Sequence, residues 1–223
     1  MTVPSTRTQI SVATTSADAD VAAAIIAGAF QHLGACRYLV PDERARITVL
    51  TNVFSIQARQ ALTHGTVYLA ARSSSPDDCL DGSVGAAVWF TNGLDLPEPD
   101  DYDARLKEAA GPYTDRFQQL DLLFATHHPH HRRHAYLAFL AVLPTHQNTG
   151  IGGDLLRAHH AHLDALGVPA YLEAADPRSH PLYARHHYRP PLQVDPQFSL
   201  AEDAVFTRLW REPQRPAEPG EPG

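Results

Sequence analysis

Lysine is almost missing from this chain: of its 18 basic residues only Lys107 is one. A nucleotide-binding P-loop needs Gly-Lys-Ser/Thr at a helix entry, so that chemistry is excluded. Cysteine is scarce too. Cys36 and Cys79 stand alone in 223 residues, too few and too far apart for a disulfide framework or a zinc knuckle, and both read as incidental thiols. No apolar run approaches the roughly 20 residues of a membrane span, and Met1-Thr2-Val3-Pro4-Ser5 lacks the basic and apolar regions of a secretory leader. A cytoplasmic location is expected. Positive charge is also in deficit: the net charge of −7 argues against nucleic acid, whose phosphates demand clustered Lys and Arg, and is compatible with a cationic amine as substrate. Arginine in place of lysine, with abundant Ala and Pro, points to a GC-rich genome. The length suits one larger domain, and no internal repeat is visible.

Glycine, by contrast, is concentrated where it matters. Gln147-Asn148-Thr149-Gly150-Ile151-Gly152-Gly153 lies between the apolar run Tyr136 to Leu143, closed by Pro144, and a segment with helical periodicity. In that segment Ile151, Leu155, Ala158 or His159, His162 or Leu163 and Leu166 recur at helical spacing before a stop at Gly167. A buried strand, a rigid turn and an amphipathic helix are expected in that order. The glycines then fall on the first helical turn, where the amide N–H groups lack intrahelical partners and the dipole leaves partial positive charge, a seat for phosphate oxygens. A dinucleotide fingerprint is excluded, because Leu155 stands where the third glycine is needed.

The remaining elements follow from periodicity and punctuation. Gln9 to Val12 alternates as a first strand, and Ser16, Asp18 and Asp20 open a helix bearing Val21, Ala24, Ile25 and Gly28. A second helix is expected over about Asp42 to Leu62. Thr66–Ala71 and Ser83–Phe90 read as neighbouring strands joined by the polar turn Ser73 to Asp78. Tyr102–Ala110 and Tyr113–Ala125 look helical. After the glycine loop and its helix come a strand at Ala170–Ala174, a short helix over 180–187 and a closing strand at Ala204–Trp210. Residues 1–7 and the Pro-rich tail 212–223 are expected to be disordered around a single domain over 8–211.

The pattern Gln147-x-x-Gly150-x-Gly152, with an apolar strand before it and Leu182-Tyr183-Ala184-Arg185-His186-His187-Tyr188 after it, resembles the GNAT superfamily of acyl-CoA N-acyltransferases. Residues 8 to about 210 share the likeness. The stretch from Gly85-Ala86-Ala87-Val88-Trp89 through His134-Ala135-Tyr136-Leu137 to Pro169-Ala170-Tyr171-Leu172-Glu173 looks most like the actinobacterial branch that includes puromycin N-acetyltransferase. Two departures stand out: His187 replaces the family's glycine and Ser179 its common asparagine.

The resemblance implies an α/β (α+β) fold with a central mixed, mostly antiparallel twisted sheet of about six or seven strands, flanked by helices and splayed between the fourth and fifth. A helical insertion would occupy about 93–134. Acetyl-CoA is the implied cofactor. Its pyrophosphate would lie on Gln147, Asn148, Thr149, Gly150, Ile151, Gly152 and Gly153, its remaining contacts on Ser179 and the backbone of Leu140, Ala141 and Val142, with the Val142 N–H as oxyanion donor. Trp89, Tyr136 and Glu173 would meet the acceptor, and Tyr183 would act as general acid, its alternative being a packing aromatic on a short helix. The protein would be a monomer or a homodimer.

The general base has two candidates. Glu173 is the only carboxylate in its apolar segment, and a buried acid without a partner is costly; it would bind the substrate ammonium, relay a proton through water, or pair with an arginine such as Arg178. His134 leads into the central strand on the same side as Tyr136, and is either a base or an edge residue hydrogen-bonded to backbone. The cluster His127, His128, His130, His131 and His134 is not read as a metal site, since Pro129 breaks the run, Arg132-Arg133 repels cations, and no carboxylate or thiolate is near in sequence. The expected activity is acetyl transfer to a small-molecule amine in a ternary complex; the rival is a non-catalytic acyl-CoA-binding module. An extended peptide acceptor is disfavoured by the insertion.

Overall fold

A computed structural model describes residues 7–73, 82–93 and 96–214. The chain runs β1 (Arg7–Val12), α1 (Ser16–Phe30), α2 (Gly34–Leu39), α3 (Glu43–His64), β2 (Gly65–Ser73), β3 (Ser83–Phe90), α4 (Tyr102–Ala110), α5 (Thr114–His127), β4 (Ala135–Val142), α6 (Ile151–Leu166), β5 (Ala170–Ala174), α7 (His180–Arg185), β6 (Gln197–Ala201) and β7 (Ala204–Arg211). The strands form one sheet in the order β1-β2-β3-β4-β5-β7-β6. Every pairing is antiparallel except β4 with β5.

Local chemistry places the helix ends. Thr15 caps α1 in a reciprocal box, its hydroxyl accepting from the Asp18 N–H at 3.1 Å while Asp18 accepts from the Thr15 N–H at 2.9 Å. Asp42 caps α3 through the Arg44 N–H. The left-handed Gly167 closes α6. Two apolar layers then form. On one face of the sheet, Ile26 of α1, Leu50 and Val53 of α3, and Leu106 and Phe117 of the insertion pack on Val67, Val88 and Phe90. On the other, Ile151, Leu155, Leu156 and Leu163 of α6 cover Ala87, Trp89, Leu137 and Leu172.

Two elements escape the periodicity argument. The six-residue α2 and the edge strand β6 are too short to show a period, and both are held by tertiary packing, with Ala35, Phe198, Ala204 and Phe206 sharing one small cluster. Arg7 belongs to β1, although the first seven residues were expected to lack structure. The head of the tail is anchored as well: Glu212 accepts from Arg132 at 2.6 Å, and the Gln214 N–H donates to Asp164 at 2.8 Å. The remaining terminal residues, most of the Ser73 to Asp78 turn and Cys79 lie outside the described residues. Cys36 is buried, and burial pushes its thiol up to about 12, which suits an inert side chain.

Candidate active site

The site grows from a failure of strand pairing. β4 and β5 are joined only at Ala135↔Ala170 and Tyr136↔Tyr171, so from Leu137 and Leu172 onward the two strands diverge. On its other side β4 stays with β3, but Val88 faces Phe139 and Trp89 faces Leu137, leaving Ala138 as a bulged extra residue. The bulge inverts the alternation of β4. Leu137 packs toward α6, whereas Phe139 and Ala141, which would share its face in a regular strand, pack toward α1 and α3.

The Leu143 N–H donates to Val84 of β3 at 2.8 Å. By alternation the Ala141 amide also points to β3, and those of Leu140 and Val142 point into the gap. Of the three cofactor contacts expected on this strand, two thus offer amides to the gap, while Ala141 serves as lining.

The gap opens into a cleft of about 660 Å³ that also takes in the glycine loop, the turn after β5, and Tyr183. A 3₁₀ turn, Pro144–His146, follows β4 and delivers Gln147, whose side-chain amide donates to the Val142 carbonyl at 3.0 Å. Asn148 and Gly150 then take left-handed backbone, with φ of 61° and 93°. No side chain caps α6, and its first backbone bond runs from the Asp154 N–H to the Gly150 carbonyl. The amides ahead of Asp154 are thereby directed at the cleft. A Cβ on Gly152 would stand 3.2 Å from Leu182 Cδ2, and one on Gly150 would be strained by its φ. A glycine-floored helix start beside His146, Arg178 and Arg185 fits a pyrophosphate.

Tyr183 sits on α7, enclosed by the cleft wall. Burial, and then the charge of Asp176, raise its pKa well above the usual phenol value, while a hydrogen bond with Ser179 works the other way. The side chain is therefore a phenol throughout the neutral range. Ser179 closes the preceding 3₁₀ turn, its hydroxyl donating to the Asp176 carbonyl at 2.6 Å. His187 adopts φ of 66°, so the turn that follows α7 keeps the left-handed geometry a glycine would favour, at the cost of some strain.

Glu173 reaches the same cleft from β5. Its side chain is 2% exposed, and Oε1 has no hydrogen-bond partner among the described residues. The imidazole of His128 places its Nδ1 3.6 Å from that oxygen. Arg178, offered by the sequence as a partner, pairs with Asp176 at 2.9 Å instead. Burial first, and the Glu173 charge next, raise the pKa values of Tyr136 and Tyr171 well above the ordinary range. A carboxylate beside two neutral phenols and an imidazole, with one oxygen unsatisfied, is set to accept a proton or an ammonium.

His134 and Trp89 stand away from the cleft. His134 is fully buried, its Nδ1 donating to the Arg132 carbonyl at 2.8 Å and its Nε2 lying 3.1 Å from His128 Nε2. Burial above all lowers its pKa to about 4. Trp89 is covered by α6 and stacked on His159 at 4.3 Å; one residue along β3, Phe90 lies on the opposite face of the sheet, stacked on Tyr136. His128 was missed as a site residue. The only sequence signal for it was membership of a histidine cluster; the end of α5 brings it beside Glu173, and the Gly93 carbonyl at 2.9 Å helps to hold its ring there.

This sheet, splayed after two parallel residue pairs and served by a glycine-floored helix, is the GNAT acetyltransferase fold. The family model for Acetyltransferase (GNAT) family matches residues 121–188, the stretch holding β4, the glycine loop, β5 and α7. A protein described as histone acetyltransferase HPA2 and related acetyltransferase, from Corynebacterium glutamicum, is 22% identical over 95% of this chain and 99% of its own, with a TM-score of 0.67. Mosquito arylalkylamine N-acetyltransferase like 5b is 18% identical over 92% and 100%, with a TM-score of 0.54. The ribosomal-protein-S18-alanine N-acetyltransferase of Escherichia coli is 14% identical over 96% and 99%, with a TM-score of 0.52. At these identities the likeness is one of fold. The acceptors in the three names differ, so fold alone does not select one here.

Proposed function

We propose that this protein is an acetyl-CoA-dependent N-acetyltransferase that modifies the amine of a small molecule, an antibiotic-like compound or a metabolite, by direct transfer in a ternary complex. The observation that carries this reading is one cleft holding three things together: open amides at the start of α6, the unpaired edge of β4, and a protonated Tyr183. The sequence likeness to the puromycin N-acetyltransferase branch supports a small acceptor, as does the cover that α4 and α5 place over the acceptor side.

Bound acetyl-CoA would supply a thioester whose carbonyl carbon an uncharged amine attacks, the C–N bond forming and the C–S bond breaking as the thiolate leaves. The chain's own groups do the rest. The amides from Asn148 to Gly153 hold the pyrophosphate, and the Val142 N–H, aimed into the gap, stabilises negative charge developing on the acyl oxygen. Glu173 takes the proton that the nitrogen sheds, and Tyr183 gives its phenolic proton to the departing sulfur. No covalent enzyme intermediate is required, and the buried Cys36 has no part.

The test is release of free CoA thiol from acetyl-CoA against a panel of amines. Amine-dependent thiol release is the expected result. Tight acetyl-CoA binding with no release for any amine would establish the non-catalytic alternative, an acyl-CoA-binding module.

A further inference from the structure

On the opposite side of β4 from the glycine loop lies a second cleft of about 410 Å³, and among the described residues the bulged Ala138 alone lines both. Its walls come from the insertion and from the α3 side of the sheet. Seven phenyl and phenol rings line it: Phe54, Phe90, Tyr102, Phe117, Phe124, Tyr136 and Phe139. A lining of this kind favours a flat or apolar body, through burial and offset ring contacts.

The charged groups of this cleft are nearly all of one sign. Asp121 and Glu98 line it, with His128 and His130 but, among the described residues, no lysine or arginine. The Tyr102 hydroxyl donates to Asp121 Oδ2 at 2.8 Å. Among the described residues no cation forms an ion pair with this carboxylate. Burial raises its pKa, and the nearby charges of Glu98 and Asp103 push the same way against the Tyr102 hydrogen bond. A carboxylate desolvated beside aromatic faces, without a cation of its own, is complementary to a cationic ligand group.

A second acid lies at the far end. The unsatisfied Oε1 of Glu173, in a side chain 98% withdrawn from solvent, is 3.6 Å from His128 Nδ1, and His128 lines the second cleft. Tyr136 feels the charges of both Glu173 and Asp121, so the two carboxylates bracket one aromatic floor.

Building on the acetyltransferase reading, we propose that the second cleft is the acceptor site and takes an aryl or arylalkyl diamine. Its reacting nitrogen lies at Glu173 and His128 beside Ala138, its ring on the aromatic walls, and its second ammonium at Asp121. The ring sets orientation, and the distal cation holds the near nitrogen at the junction of the clefts, where the acyl carbon would arrive. The near nitrogen sheds its proton to Glu173 before attack; the far one stays charged.

The test compares three amines as acceptors in CoA thiol release: 2-phenylethylamine, its analogue with an aminomethyl group para on the ring, and an alkyl diamine of similar span. The expected order in kcat/KM places the aryl diamine at least about tenfold above each of the others, as a partly buried charge-assisted contact would give. In Asp121→Asn the ratio of aryl diamine to phenylethylamine should collapse toward one, chiefly through KM for the diamine. If Asp121→Asn fails to fold, Glu98→Gln, at an exposed position, should shrink the same ratio in part. A wild-type ratio near one, or a ratio untouched in a folded Asp121→Asn protein, would overturn the proposal. If no amine releases thiol, the acetyltransferase reading fails separately, and calorimetry with the aryl diamine then decides the site: binding weakened by Asp121→Asn upholds it, and no binding removes it.

Discussion

Glu173 Oε1 and His128 Nδ1 lie 3.6 Å apart, in side chains 2% and 14% exposed, at the meeting point of the two clefts. Their neighbours assign the protons. His134 Nδ1 faces the Arg132 carbonyl and so carries hydrogen, leaving His134 Nε2 as an acceptor. His128 Nε2, between that nitrogen and the Gly93 carbonyl at 2.9 Å, must then be the donor. Nδ1 is left to receive a proton passed on from Glu173. Glu173→Gln should therefore lower acceptor turnover by roughly 10²–10⁴, the range for a lost acid–base group, and spare acetyl-CoA affinity. His134→Ala should leave the acidic limb of the kcat/KM profile in place; loss of that limb in His134→Ala would make His134 the base.

Gly152 tests the cofactor seat. With a Cβ only 3.2 Å from Leu182 Cδ2, Gly152→Glu adds bulk and negative charge where the pyrophosphate must approach the amides. The acetyl-CoA dissociation constant should rise at least tenfold, about 1.4 kcal/mol. Isothermal titration on protein with a native circular dichroism spectrum measures it, and unchanged affinity would move the pyrophosphate elsewhere.

Removing one oxygen in Tyr183→Phe leaves the packing of α7 intact. A fall of roughly 10²–10⁴ in kcat, with acetyl-CoA binding nearly constant, is the signature of a lost proton donor. Full turnover in Tyr183→Phe would leave the ring a packing role alone.

Buried neutral histidines make the fold acid-sensitive. Burial lowers His134 and His159 to about 4 and His160 to about 3, against about 6.5 in an unfolded chain. The unfolded state thus binds more protons below that value, so stability is fully present above pH 6.5 and is lost as pH falls toward the folded values. Each site contributes on the order of 1–3 kcal/mol at neutral pH. Urea midpoints measured from pH 7 to pH 4 should fall steadily, and His160→Phe, which loses only its bond to the Tyr188 hydroxyl, should flatten the slope. A midpoint constant across that range would contradict this account.

Arg211 joins β7 to the end of α6, with two bonds of 2.7 Å to Asp164 and a side chain only 3% exposed. Asp164→Ala strands a buried cation and should cost about 3–5 kcal/mol in denaturant unfolding. Asp164→Ala combined with Arg211→Met should recover much of it, since an apolar side chain leaves no unpaired charge.

Much of this protein was legible before any coordinates. The apolar run before Pro144, the glycines after it and the periodicity to Gly167 are local signals, because a helix start and its open amides depend on residues within one turn of each other. The same holds for the start of α3 at Asp42 and for Tyr183, which its flanking motif marked, whereas the cap of α1 falls on Thr15, one residue ahead of the Ser16 read as its opening. Tertiary structure alone decided the rest. The bulge at Ala138 arises from the register of β4 on β3, and the face of Trp89 from a one-residue phase that an all-apolar strand does not reveal. His134 stood out from its cluster by leading into β4, but nothing along the chain showed that it would be buried while His128, at the end of α5, would come to lie beside Glu173. Asp121 met Tyr102 only through the packing of α5 on α4. Spacing along the chain governs backbone chemistry within a turn, whereas pairing across the sheet sets which side chains share a cleft and which lose water, and that non-local desolvation is what gives these acids and phenols their chemistry.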